Sequence, residues 1–462
     1  MNKRNHSRFL MAGFVTFLAP LMLACGGGGG NPPTPANGYA VGGTVSGLVG
    51  SALALAICKT RGRGQPYVCD SPLQVSANGA FTLGGAYAAM YQGDDRVEVT
   101  QQPYSPAQRC VVGNALIENQ IATRTSLTVS CAEYSYVTNA ADNTVSAYAV
   151  DATTGALAVV GTPMATGASP SAIVGSSDKR FVFVANKGSN DVSAFTVNPT
   201  TGALTPIPGS PYAAGTSPQA LSLVDALSGP SYLFVANTGS DNISLYSIDI
   251  TGALTPMGLS SATGTGPTSI AVLPNNSYTY VVNHGGSNDI SVSPLSSWEI
   301  TVPGSPFPAG GNPLGLAFGA GGMYLYTANP DATHPSISGF SVDADTGALA
   351  PLSGSPFPLP VSHYIATDRT GAYLYVTSGA NVVGYRIDAT TGALTELPGF
   401  PVAAGGNAYS ISIDPTNQFL YVADDGAAHV SGFSLDASTG ALTPMAGSPF
   451  PAGNHPEFIA TL

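Results

Sequence analysis

Tyr136-Val137-Thr138-Asn139 is the first of seven appearances of one pattern: an aromatic residue, a β-branched residue, a third apolar or small residue, then Asn. It returns as Phe183-Val184-Ala185-Asn186, Phe234-Val235-Ala236-Asn237, Tyr280-Val281-Val282-Asn283 and Tyr326-Thr327-Ala328-Asn329. Its last forms are Tyr375-Val376-Thr377-Ser378 and Tyr421-Val422-Ala423-Asp424. The intervals are 47, 51, 46, 46, 49 and 46 residues. A period near 47 lies in the range of propeller blades.

Two further signatures keep step. A Thr-Gly-Ala-Leu turn places its glycine at Gly155, Gly202, Gly252, Gly347, Gly392 and Gly440, and the fourth repeat has Leu295-Ser296-Ser297-Trp298 instead. Gly-Ser-Pro-aromatic begins at Gly209, Gly304, Gly354 and Gly447. Each repeat reads as four strands. In one unit, Gln219–Leu223 is an inner strand A, Tyr232–Ala236 is B, Asn242–Ile248 is C, and D lies near Leu254–Met257. Prolines crowd D, as suits an edge strand that need not offer every N–H. Such a blade cannot bury two apolar faces alone, so blades must stack.

The ends are offset in a telling way. The first repeat begins at strand B, near Tyr134, and the chain stops just after Pro456-Glu457-Phe458-Ile459-Ala460, a strand A with nothing following. That last strand completes the first blade and closes the ring without free sheet edges. The expected fold is all-β: a seven-bladed β-propeller over residues 132–462, preceded by a small disulfide-bonded β-sandwich.

Composition agrees. Glycine (56) and proline (37) are frequent among the 462 residues, and charged residues are only 9%, against roughly 25% in an average soluble protein. Frequent turns joining short apolar strands explain both. Beyond residue 24 no apolar run reaches the ~18 residues that suggest a spanning helix. The net charge of −12 argues against nucleic acid as a partner, because binding phosphates needs clustered Lys and Arg.

The N-terminus reads as export and anchoring. Met1 to Arg8 is basic and Phe9 to Leu23 is apolar, so residues 1–24 have the form of a signal peptide. Leu21-Met22-Leu23-Ala24-Cys25 resembles a bacterial lipobox, in which Cys25 is lipidated; ordinary secretion is the alternative. Residues 25–37 then form a Gly- and Pro-rich tether. Gly26 after the cysteine favours the outer membrane or cell surface if the organism has two membranes.

Residues 38–131 read as an Ig-like spacer. Ala52–Ile57, Leu73–Val75, Phe81–Leu83, Val97–Thr100 and Leu127–Val129 have strand composition, and Asn78-Gly79 reads as a hairpin turn. Cys58, Cys69, Cys110 and Cys131 all lie here, and no cysteine follows. Three pairings are open, and proximity favours Cys58–Cys69 with Cys110–Cys131. A zinc site is disfavoured, because the segment has neither C-x-x-C nor histidine.

In this strand order the B–C and D–A loops share one face, the top. His284, His334 and His429 fall in B–C loops, His363 opens a strand A, and His455 lies in a D–A loop, so all five propeller histidines map to the top. Lys187 is the one other basic group there. From residue 132 onward there are five Lys and Arg against 21 Asp and Glu. The opening positions of the A strands are read as Ser171, Gln219, Ser269, Gly315, His363, Ser410 and Glu457. His363 and Glu457 are the two that can move protons and are the candidate catalytic pair. Gln219, Lys187, His284, His334, His429 and His455 are candidate ligand contacts. The Ser-Asn-Asp runs near Ser189, Ser240 and Ser287 read as turns closing hairpins rather than calcium loops. No metal or other cofactor is expected.

The repeated tetrapeptide with its Thr-Gly-Ala-Leu turns resembles the lactonase-like seven-bladed propellers, a family that includes a bacterial 6-phosphogluconolactonase and a fungal muconate-lactonising enzyme. The resemblance covers residues 134–462. It implies an Arg-His pair opening a strand A and an acidic residue after the next strand B. Here His363 matches the histidine, Ser362 stands where the arginine belongs and Ser378 where the acid belongs. Without that arginine a phosphorylated lactone is a poor fit, whereas a neutral lactone remains compatible.

Two functions follow. One is a monomeric cell-envelope lipoprotein, held to the membrane by its lipid alone, that binds a protein or a carbohydrate-like small molecule at the channel mouth. The other is a hydrolase of a sugar lactone or related lactone, with His363 polarising water.

Overall fold

The computed structural model describes residues 41–59, 68–83, 96–103, 108–113, 124–224, 231–296, 302–331, 333–359 and 363–462. The signal peptide, Cys25, the tether, Ser362 and Trp298 lie outside them.

The first unit is two sheets face to face. One has the order Gly79–Leu83, Val41–Ser46, Arg124–Ser130, Val111–Gly113. The other centres on Leu53–Lys59, which pairs with Val68–Cys69, Leu73–Val75 and Arg96–Gln101. Val41, Val45, Leu53, Leu55, Ile57, Phe81, Leu127 and Val129 form the shared core. The inferred pairing of cysteines is the one present: Cys58 with Cys69 and Cys110 with Cys131. The hairpin expected at Asn78-Gly79 is not. Leu73–Val75 pairs in one sheet and Gly79–Leu83 in the other, so this turn crosses between sheets. Asn78 serves a different contact, accepting the Leu48 N–H at 2.7 Å and donating to the Leu48 carbonyl at 3.1 Å.

The second unit is the ring of seven sheets. We number blades from the first strand B. Blade 1 has B at Glu133–Asn139, C at Thr144–Val150 and D at Leu157–Val159, and its strand A is Pro456–Thr461 from the chain's far end. Strands A of blades 2 to 7 are Pro170–Gly175, Pro218–Val224, Pro267–Val272, Gly315–Gly319, Ile365–Thr367 and Ala408–Ile413. Ring closure therefore follows the offset of the repeats: Ile459 pairs with Val137 and Ala460 with Tyr136, and the Ser135 and Thr461 hydroxyls lie 2.8 Å apart.

Strands B sit between two neighbouring blades and read as continuous apolar runs because both faces are covered. Phe181–Asn186, Tyr373–Ser378 and Phe419–Asp424 are buried at every position. Cores span blade boundaries: Tyr324, Tyr326 and Ile337 of blade 5 pack with Leu374, Val376 and Tyr385 of blade 6.

Each signature has a bonding role. The tetrapeptide's tyrosine hydroxyl reaches the turn glycine of the next blade, as in Tyr136 to the Gly202 carbonyl at 2.8 Å and Tyr326 to Gly392 at 2.7 Å. Those glycines hold φ near +70 to +84°, a region that suits glycine. The tetrapeptide's Asn ties B to C at the top, as Asn186 donates to Asp191 at 2.6 Å and to Ser193 at 2.9 Å. The serine of Gly-Ser-Pro accepts a strand C amide, as Ser448 does from Gly432 at 2.9 Å.

Candidate functional site

Strands A are the innermost, so their first residues border the upper end of the channel. A bulge after the first residue fixes which side chain stands there. Pro170, Pro218 and Pro267 each pair with the Asn ending strand B, and the next residue is passed over before pairing resumes; Pro456 pairs with Asn139 in the same way, and pairing resumes at Ile459. The opening residues are thus Ser171, Gln219 and Glu457, as expected, but Thr268 in blade 4 rather than Ser269. Gly315 pairs with Ala328, one residue before Asn329, which places Leu314 at the opening of blade 5. In blade 7 Ala408 pairs with Asp424 and Ser410 with Ala423, so the opening residue is Tyr409, not Ser410. The correction is one residue in three blades: Thr268, Leu314 and Tyr409 stand twelve residues before the strand B aromatic, as Ser171 and His363 do, whereas Ser269, Gly315 and Ser410 stand eleven before it. The preceding proline, present at Pro170, Pro218, Pro267, Pro313 and Pro456, is the sequence signal that marks the right position.

Not all of these residues face a ligand. Ser171 and Thr268 spend their hydroxyls on the next blade, donating to the Pro218 carbonyl at 2.7 Å and the Pro313 carbonyl at 3.1 Å. The chemistry gathers on blades 6, 7 and 1. Tyr364 of blade 6, Tyr409 of blade 7 and Phe458 of blade 1 form an aromatic cluster with ring centroids 4.8 to 5.8 Å apart. His363 lies over Tyr409 at 6.1 Å with 30° between the planes. Tyr364 is buried, burial drives its pKa far up, and the side chains of Tyr409 and of Gln219 in blade 3 lie close enough to act on it. Gln219 thereby joins the cluster from across the ring. Sequence reasoning placed none of the three rings here.

Glu457 is half-buried beside this cluster. Burial and the Asp425 carboxylate push its pKa up to about 7, against the opposing pull of Lys187 and His455. The His455 ring bonds Asp425 through Nδ1 at 3.0 Å. His363 and Glu457 belong to blades on either side of blade 7, and Tyr409 is the group between them: it stacks on the imidazole, and the Glu457 charge helps raise its own pKa to about 12, after burial. The His363 backbone is fixed by its N–H to the Thr377 carbonyl at 3.0 Å, while its buried Nδ1 has no hydrogen-bond partner among the described residues. The arrangement offers a carboxyl able to take or give a proton near pH 7, an imidazole and an aromatic wall.

The remaining histidines reach the top face without joining this group in any recorded contact. His284 is half-buried, its N–H bonded to the Gly266 carbonyl at 2.8 Å and its buried Nδ1 without a protein partner. His334 is exposed and held by Thr333 and Asp331. His429 is not in the B–C loop but begins strand C of blade 7, with Nε2 3.5 Å from Asp424. Lys187 is exposed on its B–C loop. Among the described residues the one close group of three metal-ligand types is Cys58, Cys69 and Glu98, and its two cysteines are joined as a disulfide.

A family model for the lactonase seven-bladed β-propeller matches residues 124–222, 224–405 and 284–460. The chain belongs to this lactonase propeller family. Solved structures agree on the fold. A periplasmic gluconolactonase of Pseudomonas aeruginosa has 18% identity and a TM-score of 0.59, covering 72% of this chain and 99% of its own. A Bacteroides fragilis protein, provisionally named a 6-phosphogluconolactonase, has 20% identity and a TM-score of 0.58, covering 72% and 98%. A Lactobacillus plantarum protein gives 18%, 0.56, 72% and 99%. At these identities the likeness establishes the shared lactonase-type architecture and nothing about the substrate. No curated protein matches the chain.

Proposed function

We propose that this lactonase-family chain is an exported, monomeric lipoprotein whose propeller binds a small uncharged ring compound, of the sugar or lactone class, in the upper mouth between blades 6, 7 and 1. The observation that carries the reading is the juxtaposition of His363, Tyr409 and Glu457: a flat aromatic wall beside hydrogen-bonding groups at its edge. An uncharged ligand fits because, among the described residues, Lys187 is the one Lys or Arg that acts on Glu457, and it already answers that carboxyl. Among the described residues no arginine fork stands at the mouth for a phosphate or carboxylate. The export reading rests on the basic, apolar and Cys25 segments. A Cys25→Ala protein that still partitions with membranes and incorporates labelled fatty acid would contradict it.

The binding test is a calorimetric titration of neutral sugars and sugar lactones, with the matching phosphorylated compounds as controls. Saturable binding of the neutral set, weakened by Tyr409→Ala, supports the reading. Preference for the phosphorylated set contradicts it.

One observation favours a second reading, hydrolysis. The Glu457 carboxyl, raised to about 7, has the proton affinity of a general acid or base. In that role it removes a proton from water as the water attacks the lactone carbonyl, and the ring oxygen leaves with a proton. Turnover of a neutral lactone above the buffer rate, lost in Glu457→Gln, supports it. Equal rates with and without folded protein remove it.

A further inference from the structure

We propose that the N-terminal sandwich is a fixed base that closes the lower end of the propeller channel, leaving ligands to enter and leave by the upper mouth. Where a flexible spacer is the simplest expectation for such a unit, the contacts here are specific and come from several elements.

The linker has no slack. Strand Arg124–Ser130 of the sandwich is followed by Cys131 and Ala132, and Glu133 already begins blade 1. Cys131 is held twice, by its bond to Cys110 and by its N–H to the Ser46 carbonyl at 2.9 Å. Gly47, at φ +70°, lies so close to the linker that a Cβ there would fall 2.4 Å from the Ala132 nitrogen.

Lys179 is the central contact. It sits in the A–B turn of blade 2, on the face opposite the mouth, and is 5% exposed. Its ammonium donates to the Arg109 carbonyl at 2.9 Å and the Ala132 carbonyl at 3.1 Å, both on the sandwich side. Buried charges of this kind need such partners. Glu133, 3% exposed, adds the opposite charge nearby, and Lys179 works against the rise that burial gives its pKa. Asp414 at the end of strand A in blade 7 and Arg369 in the turn of blade 6 complete the group that feels Glu133. Charged groups from four blades, Glu133, Lys179, Arg369 and Asp414, thus gather at the lower end of the ring, and Arg109 of the sandwich adjoins them.

A second anchor lies further out. The Pro199 carbonyl, in the C–D turn of blade 2, accepts hydroxyls from Ser46 at 3.3 Å, Ser130 at 3.2 Å and Tyr134 at 3.4 Å. Between the anchors remains a cleft of about 350 Å³ bordered by Gly113, Thr128, Lys179, Arg180 and Pro199. The sandwich is therefore fixed on the face opposite the mouth.

Hydrogen–deuterium exchange on the full chain tests this. The amides of residues 108–113 and 127–132, and of 411–414 at the lower channel end, should exchange as slowly as the strands of blade 2. Lys179→Met, and separately the double change Ser46→Ala with Ser130→Ala, should raise their exchange at least tenfold and leave blades 4 to 6 and ligand binding at the mouth unchanged. The double variant keeps the buried charges intact and serves if Lys179→Met does not fold. Fast exchange of residues 108–113 and 127–132 in the unaltered protein overturns the proposal. So does a folded double variant whose rates match the parent. Because ligand affinity is read separately, either result leaves the mouth's function to be judged by its own titration.

Discussion

The Tyr421 hydroxyl donates to the Gly155 carbonyl at 2.7 Å, joining the last blade to the first across 266 positions of sequence. The same bond links Tyr280 to Gly347 at 3.0 Å and Tyr375 to Gly440 at 2.8 Å. Two sequence signatures that look independent are thus the two halves of one inter-blade hydrogen bond. Phe183 and Phe234 occupy the same position and have no hydroxyl to make this bond.

Tyr421→Phe isolates the value of this bond at the seam. The ring still fills its space, but the buried Gly155 carbonyl loses its donor. The expected loss is about 1–3 kcal/mol, the usual cost of an unsatisfied buried group. Denaturant unfolding followed by Trp298 fluorescence measures it. A stability equal to the parent's shows that the bond contributes nothing.

Removing Pro456–Leu462 tests closure itself. The deletion takes away strand A of blade 1 and exposes the edges of Glu133–Asn139 and of the neighbouring blades. A lower melting temperature and rapid amide exchange in blades 1 and 2 are expected. An unchanged melting curve contradicts a ring locked by its C-terminus.

The fold was readable because its devices are local. Repeat period, turn glycines and the missing first strand A are all visible in order along the chain. Register at the mouth was less so. Counted back from the strand B aromatic, Ser171 and His363 stand twelve residues ahead, whereas Ser269, Gly315 and Ser410 stand eleven; the residues at twelve are Thr268, Leu314 and Tyr409. The aromatic cluster was hidden for a second reason: Tyr364, Tyr409 and Phe458 come from three blades, and only the ring's geometry brings them together. Asn78-Gly79 misled because a turn's chemistry sets a change of direction, not which strands pair beyond it. Glu457 was found from its place, but its altered proton affinity depends on burial and on Asp425, neither of which a sequence displays.

The raised pKa of Glu457 fixes the sign of a pH effect. An acid that holds its proton more tightly folded than unfolded adds stability that is full below its ordinary value of 4.5 and is lost as pH rises to about 7. Glu457→Gln should therefore flatten the stability profile between pH 5 and 8 and be relatively more stable at pH 8. Melting curves across that range decide it. A profile of unchanged shape in the variant means that Glu457 does not titrate as described.

Reduction should act on one unit only. The two disulfides close loops with separations of 11 and 21 residues in the sandwich, and no cysteine follows Cys131. Each contributes about 2–4 kcal/mol by the usual loop argument. Dithiothreitol should speed proteolysis of the sandwich while the thermal transition of the propeller stays cooperative. Equal protease resistance before and after full reduction contradicts this.

The most direct test of the account is a calorimetric titration of the full chain with neutral sugar lactones at pH 6, in parallel with His363→Ala and Tyr409→Ala. Saturable one-to-one binding, weakened at least tenfold by both substitutions in proteins that melt like the parent, is the predicted result. Binding that both substitutions leave intact, or no binding by any neutral ring compound in the set, contradicts a ligand site between blades 6, 7 and 1.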